Sequence, residues 1–331
     1  MSTTIAALPL LSLDSDEQER LSKVVVIPRR VHEQSIDHIE TILSDCKQQE
    51  DTFGPSAVLH TVSAQREFVD SLLDDCPAEL HPRLLSVYSS MSSSIGLYCF
   101  DLDDAASAMH YCDEARAAAQ EAKNVELAIY ALSLMSHFAA WQGRVHAGID
   151  YAAAAQSLTN KIDDVPLTIF AANKAAIAYA VSGQYKECMS ECDRALARLH
   201  HRPTGNLPPS AVYWVNEGFI ANTQSYCLLR LGKPKEAAAT AERGLKLFDT
   251  TRVGGLAFCK LRLGTARLLC GEVEEAARLI GDGALLATKY RSVRLTSEVK
   301  TARGRLQPWQ DTAAVEELDE RLRGIGLGIG M

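Results

Sequence analysis

Apolar residues in this 331-residue chain come back at helical spacing in block after block, with a short polar turn between one block and the next. The stretch VSGQYKECMSECDRALARLH at 181–200 shows the form: a glycine in a polar turn, then an amphipathic run with small residues at fixed places. Four other stretches align on that glycine: FDLDDAASAMHYCDEA at 100–115, WQGRVHAGIDYAAAA at 141–155, RLGKPKEAAATAERG at 230–244 and LCGEVEEAARLIGDG at 269–283. The turn residues are then Asp103, Gly143, Gly183, Gly232 and Gly271, at steps of 40, 40, 49 and 39. Five places after each turn residue come Ala108, Gly148, Cys188, Ala237 and Ala276. Seven further on come Ala115, Ala155, Ala195, Gly244 and Gly283, and seven before the turn lie Gly96, Ser136, Ala176, Ser225 and Gly264. Every one of these positions is small.

Small residues at those offsets are what a tetratricopeptide helix–turn–helix needs where its two helices cross and where the second meets the next repeat. The spacing therefore predicts an all-α, right-handed α-solenoid of about five tetratricopeptide-like repeats over 76–291. The period exceeds the usual ~34 residues, which implies helices longer by a turn or more. Ahead of the repeats, 31–54 carries Ile36, Ile39, Leu43 and Cys46 on one stripe; Gly54 and Pro55 break it before a second helix, so 31–75 reads as a capping hairpin. The long step is an inserted loop, HHRPTGNLPPS at 200–210, and SVRLTSEVKTARGRL with DTAAVEELDERL supplies C-terminal capping helices over 292–323. Residues 1–30 read as an N-terminal extension or linker remnant, and 324–331 as a flexible tail.

Composition narrows the function classes. With 34 Lys+Arg against 42 Asp+Glu the net charge is −8, and no basic stripe stands out beyond Lys23, Arg29 and Arg30. No apolar run approaches the ~18 residues a membrane span requires. Nine cysteines without a CxxC pair, in a chain with no export signal at its start, point to free thiols in a reducing cytoplasm. There is no phosphate-binding glycine loop, HExxH, GxSxG or metal-spaced Cys/His cluster, so the reading is a non-enzyme with no cofactor and no metal. Cys188 and Cys192 lie one helical turn apart, but Cys188 occupies a small packing position and the pair reads as core. The histidines at 200–201 read as loop, and Asp103/Asp104 and Asp163/Asp164 as residues that start helix B.

The segments DEQERLSKVVVIPRRVHEQSIDHIETIL (16–43), GPSAVLHTVSAQREFVDSLL (54–73), IGLYCFDLDDAASAMHYCDEARAAAQEA (95–122) and LSLMSHFAAWQG (132–143) carry a resemblance. From about residue 16 to 322 the chain resembles the tetratricopeptide-like sensor region that follows the helix-turn-helix domain in streptomycete-type XRE transcriptional regulators. In that family the DNA-binding domain comes first; this chain starts roughly where the linker would be. The resemblance implies a ligand-sensing regulatory protein without its own DNA-binding domain.

The concave face is where such an array binds. Positions thirteen, ten and six before the turn share a helical face with those three before it, and tetratricopeptide arrays line their groove with that face. Thirteen before stand Ser90, Tyr130, Phe170, Phe219 and Phe258; ten before, Ser93, Ser133, Asn173, Asn222 and Leu261; six before, Leu97, His137, Ile177, Tyr226 and Thr265. The candidate groove residues are Asn173, Asn222, Tyr130, Ser133, His137, Phe170, Phe219, Tyr226 and Thr265. Aromatic rings beside small polar groups suit a peptide or small amphipathic molecule, and each Asn amide can grip a peptide group from both sides. Peptide-pheromone receptors on tetratricopeptide arrays are similar in using groove asparagines. Three alternatives stay open: the rings pack as core, the array is a scaffold for a protein partner such as a separate DNA-binding regulator, or it is an enzyme on a helical-repeat fold, for which the sequence offers no catalytic constellation. A homodimer is also compatible with the sequence.

Duplex DNA affinity draws heavily on cations that neutralise phosphates. This chain alone is expected to show no measurable duplex binding at physiological salt. A gel shift at nanomolar protein with steep salt dependence would overturn that.

Overall fold

The computed structural model describes residues 31–201 and 210–328. Among them are fourteen α-helices and no strand. The first hairpin is α1 (Glu33–Phe53) and α2 (Leu59–Leu73). Five hairpins follow: α3 (His81–Asp101) with α4 (Ala105–Glu121), α5 (Val125–Trp141) with α6 (Val145–Leu158), α7 (Val165–Val181) with α8 (Tyr185–His200), α9 (Glu217–Arg230) with α10 (Pro234–Leu247), and α11 (Val253–Leu269) with α12 (Val273–Tyr290). Two helices close the chain, α13 (Val293–Gly304) and α14 (Ala313–Gly324). Each hairpin packs on the next, first helix against first helix and second helix against the following first helix, as an α-solenoid does.

The local chemistry that makes these hairpins is visible at their turns. All five turn residues adopt the left-handed conformation, with φ of 67° at Asp103, 74° at Gly143, 76° at Gly183, 70° at Gly232 and 89° at Gly271. Glycine takes this conformation without strain, and aspartate is among the few side chains that tolerate it. Side-chain caps start several helices: Asp104 accepts from Ser107 N–H, Asn124 from Leu127, Asp164 from Leu167, Asn216 from Phe219 and Ser292 from Leu295. Asp104 thus starts a second helix as its spacing predicts, whereas Asp164 caps α7, a first helix.

The small positions are the crossing points. Ala108, Ala115, Ala155, Ala176, Cys188, Ala195, Ala237 and Ala276 are fully buried. A Cβ on Gly96 would stand 2.7 Å from Cys112 Sγ, and one on Gly283 would stand 2.9 Å from the Leu261 side chain. The hydroxyl of Ser136 on α5 donates to the Gly148 carbonyl on α6 at 2.8 Å, so the crossing is close enough for direct bonding.

The array also curls until its two ends meet. The end of α1 packs against α11 and α12, and the end of α3 packs against α13. Buried Tyr290 donates its hydroxyl to the Glu50 carboxyl, and Arg252 pairs with Asp51 at 2.5 Å. Arg294 pairs with Asp101 at 2.5 Å, and Ser292 Oγ donates to the Asp101 carbonyl. Gly54, with φ of 82°, lies so near the Tyr290 carbonyl that a Cβ there would stand 1.7 Å from its oxygen. Among the described residues no helix is long and apolar enough to cross a membrane, and all nine cysteines are free.

Burial raises the Glu50 carboxyl to about 7, only partly offset by the Tyr290 hydrogen bond. Its folded value lies above its unfolded one, so its contribution to closure is full below about 4.5 and is lost as pH rises through about 7. Glu50→Gln is therefore expected to leave the melting temperature nearly unchanged near pH 5. Near pH 8 it should stabilise the chain by ~2–3 kcal/mol relative to the parent. Thermal melts across that range check this; a constant offset at every pH would refute it.

Candidate functional site

The inner face of the curled array divides in two. In one half the candidate rings pack on one another. The Tyr130 and Phe170 rings lie 5.4 Å apart, and Phe170 stacks on Phe219 at 6.2 Å and 11°. Trp214, in the segment just ahead of α9, sits edge-on to Phe170 at 5.8 Å and to Phe219 at 4.9 Å. Arg252 covers the outer side of Trp214, 4.1 Å from its ring, and Tyr213 donates to Asp51 of α1. Residues 210–216 thus turn back onto the inner face, so Tyr130, Phe170 and Phe219 meet protein where the sequence reading places an open groove.

The small polar candidates are also largely engaged. Ser133 is buried and donates to the Ile129 carbonyl of its own helix at 2.7 Å. Arg262 on α11 donates to Asn222 Oδ1 at 2.6 Å and to its carbonyl at 3.0 Å, which uses the amide's acceptor side. Asn173 is fully buried, and neither its Oδ1 nor its Nδ2 has a hydrogen-bond partner. Two asparagines at one repeat position therefore sit in opposite circumstances, one tied to a cation and one unpaired.

His137 lies beside Lys174, with 3.3 Å between its Nδ1 and the lysine Nζ. Burial, then the Lys174, Arg294 and Arg262 charges, hold the imidazole well below its usual range, so the neutral ring accepts from the lysine. Lys174 itself falls to about 7, through burial first and then repulsion from Arg294 and Arg262. Its Nζ stands 4.8 Å above the Phe170 ring.

The other half of the inner face encloses a cavity of about 500 Å³ with walls from α5, α7, α9, α11 and α13. Of the sequence candidates only Tyr226 and Thr265 line it. Trp141 and Tyr226 form one wall, stacked at 6.4 Å and 22°. Phe258 and Leu261 form another, and Leu229 and Val181 complete the apolar surface. Three guanidiniums, Arg230, Arg262 and Arg305, share the lining with one carboxylate, Glu298. Arg262 is held over the Tyr226 ring at 5.0 Å and the Phe258 ring at 5.4 Å. Arg294 packs on Phe100, Trp141 and Phe258 at 4.7, 5.4 and 4.3 Å while paired to Asp101. Leu269, Arg230, Thr301 and Arg305 are exposed and form the mouth.

The sequence did carry part of this site. Trp141, Val181, Arg230 and Leu269 each stand two places before their turn glycine, one position along from the face chosen above. Arg262 stands nine before its turn, in the same row as Lys174. A face set at thirteen, nine, six and two before the turn would have included all five. The α13 residues had no such signal, because they reach the cavity only through closure.

No protein-family model matches the chain, and no curated protein matches its sequence. Solved structures do match its fold. A Rap protein complexed with competence and sporulation factor superposes with a TM-score of 0.54 at 12% identity, over 88% of this chain and 88% of that one. NprR in complex with its cognate peptide NprX gives 0.51 at 15% identity, over 94% and 88%. The apo form of the quorum sensor NprR from B. thuringiensis gives 0.50 at 14%, over 94% and 88%. At these identities the likeness is one of fold: an all-helical, tetratricopeptide-like array.

The two asparagines should respond differently to replacement. Asn222→Ala removes the side-chain acceptor of the Arg262 guanidinium, leaving it only the backbone carbonyl of residue 222, and should cost ~1–3 kcal/mol. Asn173→Leu removes an unpaired buried amide and should be neutral or stabilising. Urea melts of both variants decide it; equal losses in the two would contradict the assignment.

Proposed function

We propose that this chain is a non-enzymatic ligand sensor that holds a small anionic molecule, a short peptide presenting a carboxylate, in the cavity between α5 and α13. The observation that carries this reading is the convergence of Arg230, Arg262 and Arg305 on aromatic walls, with Glu298 as the one opposing charge. Guanidinium forks suit carboxylates, because two parallel N–H donors meet two oxygens. The volume, about 500 Å³, falls in the ~300–1,000 Å³ range of small-molecule sites and admits a few residues of peptide. Two of the fold relatives are complexes with peptide factors, which supports a peptide class of ligand on this architecture.

The output follows from which elements the ligand would touch. Glu298 and Thr301 belong to α13 and Arg305 follows its last residue; α13 is the helix whose Arg294 closes the array onto Asp101. A ligand bridging α13 to α9 and α11 favours the closed array by mass action. The resemblance to XRE sensor regions makes a DNA-binding regulator the natural recipient of that change, acting through a surface of the array.

Mixed tetrapeptides with free C-terminal carboxylates, and the same mixture amidated, are the probes for a thermal-shift and calorimetric test. The free-acid mixture is expected to raise the melting temperature and the amidated one to do so far less. Arg262→Met should weaken binding about tenfold or more, a loss of ~1.4 kcal/mol at least. Equal responses to both mixtures, or unchanged affinity in Arg262→Met, would refute the reading.

A further inference from the structure

α8 and α9 bring three thiols together. Cys188 and Cys192 lie one turn apart on α8, and Cys227 lies across from them on α9. All three are buried, and their Sγ atoms lie within 4.8 Å of one another. Only Cys188 is explained by the small-residue rule of the repeat; Cys192 and Cys227 fall at other positions. Around them are Ala140, Ala176, Ala178, Ala180 and Ile177. Among the described residues no histidine or carboxylate joins the group as a further donor.

Three sulfurs in an apolar core select their partner by charge. A dication bound by three thiolates leaves one net negative charge, and a monocation leaves two, in surroundings where unpaired charge is costly. Zinc also prefers four ligands in its structural sites, and this set offers three. A trivalent thiophile with three bonds leaves no charge at all. With metal–thiolate bonds of about 2.3 Å, three sulfurs sharing one centre stand on the order of 4 Å apart, so small side-chain shifts suffice.

We propose that Cys188, Cys192 and Cys227 form a binding site for a trivalent thiophilic metalloid, with arsenite as the representative ligand. The exchange balances without redox: As(OH)3 and three thiols give As(SR)3 and three waters. Three As–O bonds are replaced by three As–S bonds, each S–H proton leaves with a hydroxide as water, and arsenic stays trivalent. Neutral species enter and neutral species leave. The centre would pin α8 to α9 directly behind Tyr226, a wall of the ligand cavity.

The test uses the full chain, kept reduced with a phosphine and titrated anaerobically with sodium arsenite, with zinc and with Cu(I). One arsenic per chain with three As–S neighbours by X-ray absorption is expected. Alkylation after mild unfolding should then spare Cys188, Cys192 and Cys227 while modifying Cys76 and Cys270. Cys192→Ala and Cys227→Ala should each weaken arsenite binding about tenfold or more, and Cys76→Ala should not. The alkylation map of the parent chain decides the matter even if a variant fails to fold. Protection of other cysteines, arsenic held by two sulfurs, zinc or Cu(I) displacing arsenite, or no arsenite binding would each overturn the proposal.

Discussion

The carboxylate of Asp101, at the end of α3, meets the Arg294 guanidinium on α13 across 193 residues of chain. Both are nearly buried, and Arg294 also lies over Phe100, Trp141 and Phe258. A buried pair of this kind adds little net stability, because desolvation offsets much of the attraction. Losing one partner, however, strands a charge in the interior. The pair therefore works as a register device: α13 can dock in one place, over three rings and one carboxylate. The cavity exists because α13 is in that place, since Glu298, Thr301 and Arg305 supply its far wall.

The interior so formed has the opposite sign to the chain. The whole chain carries −8, yet the inner face gathers Lys174, Arg230, Arg262, Arg294 and Arg305 against Asp101 and Glu298. Surface charges beyond about 8 Å are screened at physiological salt, so a bound ligand responds chiefly to these inner groups. Their depressed basicity shows the tension: burial and mutual repulsion lower Lys174 to about 7 and also lower Arg262. A fold selected for stability alone would place apolar side chains there. A neighbouring anion, such as the proposed ligand's carboxylate, would relieve the repulsion.

What was legible in the sequence was what is decided locally. A left-handed turn demands glycine or a tolerant aspartate, and a close crossing demands a small side chain. Asp103, Gly143, Gly183, Gly232 and Gly271 accordingly all show positive φ, and the Ala, Ser, Gly and Cys positions mark the crossings. The face at thirteen, ten, six and three before the turn lies about one position from the one that lines the cavity, so it omits Trp141, Arg230 and Arg262. The rest was not legible because it is long-range. Nothing near Trp214 in sequence says that it will cover Phe170 and Phe219, and nothing near residue 294 points to Asp101. Asn173 and Asn222 show the limit of repeat arithmetic, since equal register gave unequal partners once Arg262 reached only one of them.

An open solenoid is quasi-one-dimensional: each repeat touches its neighbours, and stability is a sum of nearest-neighbour terms. Here Glu50 with Tyr290, Asp51 with Arg252, and Asp101 with Arg294 add contacts between the ends of the array. Those contacts make the first hairpin and the last helices conditional on the curvature of everything between them. Small changes of angle at each crossing accumulate along the stack, and the ends register their sum. The proposed ligand, gripping α13 together with α9 and α11, would act at the seam where that sum is expressed. Local binding energy would thereby be converted into a preference for one global curvature.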